Sequence, residues 1–106
     1  MALRVLSYNI LMGGEDRLLH IVSVIQKQQP DMVALLEANS RSNAEMLAKQ
    51  LGMNLTFGEA NSEFHVAWLS RLTNINTENY RLSILAKTLL EIEILWEGVP
   101  LSFSRL

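Results

Sequence analysis

Asn9 and Glu37 are the two residues of this 106-residue sequence best suited to do chemistry together. Each closes a short apolar run. Tyr8 and Asn9 follow Leu3-Arg4-Val5-Leu6-Ser7, and Glu37 follows Met32-Val33-Ala34-Leu35-Leu36. A carboxylate and an amide oxygen brought together suit a hard divalent cation, which prefers oxygen ligands and keeps several waters. On residue type alone, Asn9 equally fits a turn residue that bonds its own backbone, and Glu37 a solvated acid ahead of a helix. The segments between them decide whether they meet.

From Asp16 the apolar residues Leu18, Ile21, Val22 and Ile25 recur at helical spacing, with Glu15 and Asp16 suited to the N-terminal dipole and Pro30 beyond the end. Strand, helix and strand in this order make a βαβ unit, whose crossover is right-handed and whose strands are parallel. If those strands are also neighbours, Asn9 and Glu37 emerge side by side at the carboxyl edge, where open α/β sheets place ligands. Further on, Ser42 and Glu45 have capping-box spacing, Leu47, Ala48 and Leu51 form a stripe, and Gly52 suits a helix C-terminus, so a second helix is expected.

After Gly52 the period becomes strand-like. Met53 to Phe57 and Phe64 to Ser70 read as strands around a polar turn, Glu59 to Glu63. A last hairpin is expected with Glu97-Gly98 as its loop, pairing Trp96 with Val99, Ile94 with Leu101 and Ile92 with Phe103, so that six apolar side chains share one face. Glu91, Glu93, Ser102 and Ser104 lie opposite, and the final strand is expected over Leu101 to Leu106.

Hydrophobic residues at 49% and charged residues at 19% place the chain among globular proteins, and its length allows one domain, 1–106. Nine basic against eleven acidic residues leave a net charge of -2, and the basic ones form no cluster, so the charge lends no support to a nucleic-acid surface. No cysteine is present, which removes disulfides and thiolate metal sites. No leader pattern or run of membrane-spanning length is seen, and a cytoplasmic product without a membrane span is expected.

Ser7-Tyr8-Asn9-Ile10, Pro30-Asp31-Met32-Val33-Ala34-Leu35-Leu36-Glu37 and Val66-Ala67-Trp68-Leu69-Ser70-Arg71 occur in the order and spacing of the endonuclease/exonuclease/phosphatase superfamily, and the chain resembles its N-terminal half. The resemblance implies an α+β, DNase I-like fold: part of a four-layer α/β/β/α sandwich, with an N-terminal βαβ unit followed by β-hairpins. It also implies hydrolysis of phosphate esters with magnesium or manganese. Glu37 matches the family's metal-binding glutamate, and Asn9 the asparagine beside metal and scissile phosphate.

The sequence departs from that pattern at Leu36, His65 and Thr73-Asn74, where glutamine, glycine and proline are common. The family's later machinery, a strand-ending histidine, an Asp-x-Asn and a terminal Ser-Asp-His, does not appear. The only aspartates are Asp16 and Asp31, and the histidine falls beyond the last strand or is replaced by Arg105. A truncated domain that holds metal-site residues yet is inactive alone, or nearly so, is therefore expected. The alternatives are a non-catalytic half-domain that associates with itself or with a complementing chain, and an incomplete gene product.

Other candidates read as structural. His65 is expected to be a hydrogen-bonded core or rim residue, His20 to be solvated, and Ser70 to make a local bond. Gly13-Gly14 lacks the spacing of a phosphate loop and precedes two acids, while Trp68 and Trp96 are expected in the core.

Overall fold

The computed structural model describes residues 3–81 and 88–105. The end of the last expected strand, at Leu106, lies outside them. Strand β1 (Val5–Asn9), helix α1 (Leu18–Gln28) and strand β2 (Met32–Leu36) form the expected βαβ unit, with β1 and β2 parallel neighbours paired from Val5 with Met32 to Asn9 with Leu36. Asp31 sets this register. Its carboxylate accepts the Arg4 N–H at 2.9 Å, and the Asp31 and Met32 N–H groups both donate to the Arg4 carbonyl, at 2.8 and 3.2 Å.

Helix α2 (Arg41–Leu51) and the antiparallel strands β3 (Asn54–Gly58) and β4 (Val66–Ser70) complete the first sheet, in the order β1-β2-β4-β3. Strands β5 (Asn74–Tyr80), β6 (Leu89–Trp96) and β7 (Val99–Arg105) form a second, antiparallel sheet. The hairpin register is the expected one, with Trp96 opposite Val99, Ile94 opposite Leu101 and Ile92 opposite Phe103.

Two helix starts differ from the sequence reading. Arg17 precedes the first turn of α1, so Glu15 and Asp16 lie outside the helix and that turn contains no acid. In α2 the cap is Ser40, whose Oγ accepts the Asn43 N–H at 3.2 Å, while Ser42 is already helical. A serine oxygen before the helix satisfies a donor that has no partner within it. At the other end Gly52 takes the left-handed conformation, φ 67°, as expected.

Both faces of the first sheet are covered. On one, Ile21, Val22 and Ile25 of α1 and Ala44, Leu47 and Ala48 of α2 pack on Val33, Leu35, Ala67 and Leu69. On the other, Met32, Ala34, Val66 and Trp68 meet Leu90, Ile92 and Ile94 of the second sheet. This explains the unbroken apolar run in β2: it has no solvated side. Burying one such Leu or Ile contributes about 1.5–3 kcal/mol. The Trp68 Nε1–H donates to the Leu90 carbonyl at 3.2 Å, and the Trp68 and Phe103 rings lie 6.1 Å apart.

The sheets stack edge over edge. Asn74 Nδ2 of β5 donates to Thr56 Oγ1 of β3 at 2.9 Å, and Arg105 Nε of β7 donates to Ser7 Oγ of β1 at 3.2 Å. Helices, first sheet and second sheet are three layers of the α/β/β/α arrangement among the described residues. No helix among them is long and apolar enough to cross a membrane.

Candidate functional site

Because β1 and β2 are adjacent and parallel, Asn9 and Glu37 leave the sheet together at its carboxyl edge, and their side chains touch. Asn9 Nδ2 donates to Glu37 Oε2 at 2.8 Å. The other amide atom is also committed: Asn9 Oδ1 accepts the Leu11 N–H at 2.9 Å, an Asx turn. Swapping the amide would set its oxygen against a carboxylate and its nitrogen against an N–H, so the bonds fix the orientation. The asparagine thus presents its nitrogen to Glu37, and the amide oxygen that the sequence offered to a cation faces its own backbone.

Glu37 is the organiser of the loop after β1. Its second carboxylate oxygen accepts the Met12 N–H at 3.3 Å, and its carbonyl accepts the N–H groups of Gly13 and Asn39 at 2.8 and 2.9 Å. Two side chains hold that loop from elsewhere. Arg17 Nη2 donates to the carbonyls of Ile10 and Leu11, both at 2.8 Å, and Asn43 Nδ2 of α2 donates to the Gly13 carbonyl at 3.0 Å.

The loop needs this support because its backbone is strained. Leu11, Met12, Glu15 and Glu37 itself all have positive φ, from 46° to 55°. Left-handed backbone costs a residue with a side chain roughly 1–2 kcal/mol, and such residues gather where surrounding contacts over-determine them, often at functional sites. Gly13, at φ 75°, fits where a Cβ would lie 3.1 Å from the Ser40 nitrogen. Its N–H is spent on Glu37, so the Gly13-Gly14 pair is no phosphate cradle.

Electrostatically, the half-buried Glu37 carboxylate meets only neutral N–H donors among the described residues. Among the described residues no lysine, arginine or histidine pairs with it. No group of three or more histidine, aspartate or glutamate side chains gathers among the described residues, so the protein oxygen here comes from one carboxylate. Magnesium is commonly held by one or two carboxylates with water completing its shell, and the donor set fits that habit.

The remaining candidates are structural. His65 is half-buried just before β4, its Nδ1 accepting the Ala60 N–H at 2.9 Å and its ring 5.3 Å from Phe57. Ser70 Oγ closes a local turn with the Leu72 N–H and carbonyl at 2.9 and 3.2 Å, and His20 is exposed. Arg17 and Asn43 were not singled out from the sequence. Nothing in their spacing marks them: Arg17 reaches back to the carbonyls of the turn just before it, and Asn43 acts on a carbonyl 30 residues away.

No protein-family model matches the chain, and no curated protein matches it in sequence. Solved structures do match. An endonuclease/exonuclease/phosphatase family protein from Leptotrichia buccalis superposes with a TM-score of 0.78 at 18% identity, covering 99% of this chain and 53% of that one. A mannosyl-6-phosphatase from Bacteroides thetaiotaomicron gives 0.81 at 14% identity, over 97% and 50%. TDP2 of D. rerio, solved with a single-strand DNA product, gives 0.79 at 18% identity, over 96% and 44%. The chain has the DNase I-like fold of these proteins and spans about half their length.

Proposed function

We propose that this chain carries the N-terminal half of a metal-dependent phosphoesterase of the endonuclease/exonuclease/phosphatase superfamily. The observation behind this reading is the Asn9–Glu37 contact at the carboxyl ends of adjacent parallel strands, in a fold shared with a phosphatase and a DNA-processing protein. In it Glu37 holds magnesium or manganese, and Asn9 is a positioning residue that keeps the carboxylate turned outward. A bound cation polarises a phosphoryl oxygen and offsets the charge that develops on the transition-state oxygens. The substrate class is a phosphate ester. The net charge of -2 disfavours duplex nucleic acid, whose binding calls for concentrated positive charge.

The groups that would accept and deliver protons, the strand-ending histidine, the Asp-x-Asn and the Ser-Asp-His of the family, are not in this sequence. The loss of one general base removes a factor of about 10² to 10⁴, so the chain by itself is inactive or nearly so. Manganese titration followed by electron paramagnetic resonance tests the reading. One ion bound by the chain and lost in Glu37→Gln is the expected result. Equal affinity in the variant would remove Glu37 from the metal site, and phosphodiester turnover by the pure chain, lost in Glu37→Ala, would overturn its inactivity.

A second reading is association, with another copy or with a chain that supplies the complementary half. The observation favouring it is that, among the described residues, β1 and β7 are edge strands of their sheets and meet through Ser7 and Arg105, so added strands could extend each sheet on this same side. Light scattering decides: a compact monomer at high concentration counts against it.

A further inference from the structure

The geometry points to Arg105 as a phosphate-binding residue of this site, an exposed guanidinium tethered to Ser7, two residues before Asn9, at the mouth between the two sheets. This inference rests on the phosphoesterase reading. Leu6 and Tyr8 of β1 pack on the helix side, so the alternate residues Ser7 and Asn9 face the second sheet. On β7, Leu101 and Phe103 face inward into the core between the sheets, and Arg105 is next in that row, paired with the fully buried Leu90. An arginine in an apolar row at a strand end is therefore aimed at β1, and its Nε–H donates to Ser7 Oγ at 3.2 Å.

Ser7 and Asn9 are two residues apart along a strand, about 7 Å, which brings the guanidinium to the neighbourhood of the Asn9–Glu37 pair. Only Nε is engaged. Among the described residues the two terminal amino groups have no hydrogen-bond or ion-pair partner, and no carboxylate neutralises the charge. Those amino groups form the half of the guanidinium fork that binds a phosphate edge-on, while the bond to Ser7 fixes the direction in which they point. A cation held by Glu37 on one side and this guanidinium on the other would enclose a phosphoryl group between two positive charges. No proton transfer is assigned to Arg105.

Inorganic phosphate is the probe. Its binding to the chain is followed by NMR through the Arg105 Nε–H signal, with manganese affinity measured separately in each variant. Phosphate should shift that signal, and Arg105→Gln should weaken phosphate binding about tenfold or more, as expected for loss of a charged hydrogen bond. Arg105→Lys should lie between, having charge without the fork, and Ser7→Ala should weaken binding only a few-fold by releasing the side chain. Affinity should stay level from about pH 8 to about pH 9.5, where a histidine would already be neutral. Manganese affinity should be unchanged in Arg105→Gln. Equal phosphate affinity in Arg105→Gln and the parent, or no phosphate binding by a chain that binds manganese, overturns the assignment and leaves the Glu37 reading intact. Arginine-dependent phosphate binding without manganese binding supports the anion site and removes the metal reading instead.

Discussion

Gly58 of β3 and Leu90 of β6 lie so close that a Cβ on Gly58 would stand 2.9 Å from Leu90 Cδ1 and 3.2 Å from Leu90 Cβ. Leu90 is fully buried between the sheets and its own carbonyl is held by Trp68, so it has little room to yield. Gly58→Ala should therefore destabilise the chain by about 1–3 kcal/mol through overpacking, read by urea denaturation. The double variant with Leu90→Ala should show non-additive recovery. An undiminished unfolding midpoint in Gly58→Ala would show that the sheets are not so tightly apposed.

Asn9→Asp replaces the donor to Glu37 with a second acid. Two carboxylates at hydrogen-bond distance repel, and the lost bond leaves Glu37 short of a partner, so the metal-free variant should lose about 1–3 kcal/mol near neutral pH. Magnesium should restore it. The expected outcome is a larger upward shift of Tm on adding magnesium than the parent shows, and equal shifts would argue that the cation does not sit beside the Glu37 carboxylate.

The two serines before and in α2 make a clean comparison. Ser40→Ala removes the oxygen that caps Asn43 and should cost about 1 kcal/mol, whereas Ser42→Ala, within the first turn, should be near neutral or slightly stabilising. Thermal denaturation of the two variants reads the difference directly. A larger loss in Ser42→Ala would restore the capping box suggested by the sequence.

Tyr80 gives a pH-dependent signature. The charge of Glu91, then burial, then the charge of Glu78 raise its phenol above the ordinary value of 10.0. The folded chain therefore holds this proton more tightly than the unfolded chain. The corresponding stability is fully present below about pH 10 and is lost as the pH rises through the folded value. Ultraviolet titration should find a late-ionising tyrosine that moves back towards 10.0 in Glu91→Gln, and an unmoved midpoint would rule out Glu91 as the principal cause.

The parallel βαβ unit was legible because its crossover has one handedness and β2 carries the unbroken apolar run of a doubly covered strand, whereas the adjacency of β1 and β2 that brings Asn9 to Glu37 was only a condition in the sequence and is supplied by the strand pairing. The hairpin around Glu97-Gly98 was legible because alternation on both arms fixes one register. Other parts carried weaker local signals. Strand β5 is almost wholly polar and exposed, Asn74 to Tyr80, and is ordered by pairing with β6 rather than by its own pattern. The real cap of α2 was hidden by a second serine two residues on. The strained turn at Leu11 and Met12 could not be read at all, because its left-handed backbone is imposed by Glu37, Arg17 and Asn43 from a distance and not by glycine at those positions.

The bond from Arg105 to Ser7 joins positions 98 residues apart. On a ribosome adding about 5–20 residues each second, the first strand waits roughly 5–20 s before its cover is made. Through that interval the inner face of β1 is open, and closure of the two sheets waits for β7. A nascent chain of this design is most vulnerable to chaperone capture and to strand exchange in its earliest segment until β7 has emerged.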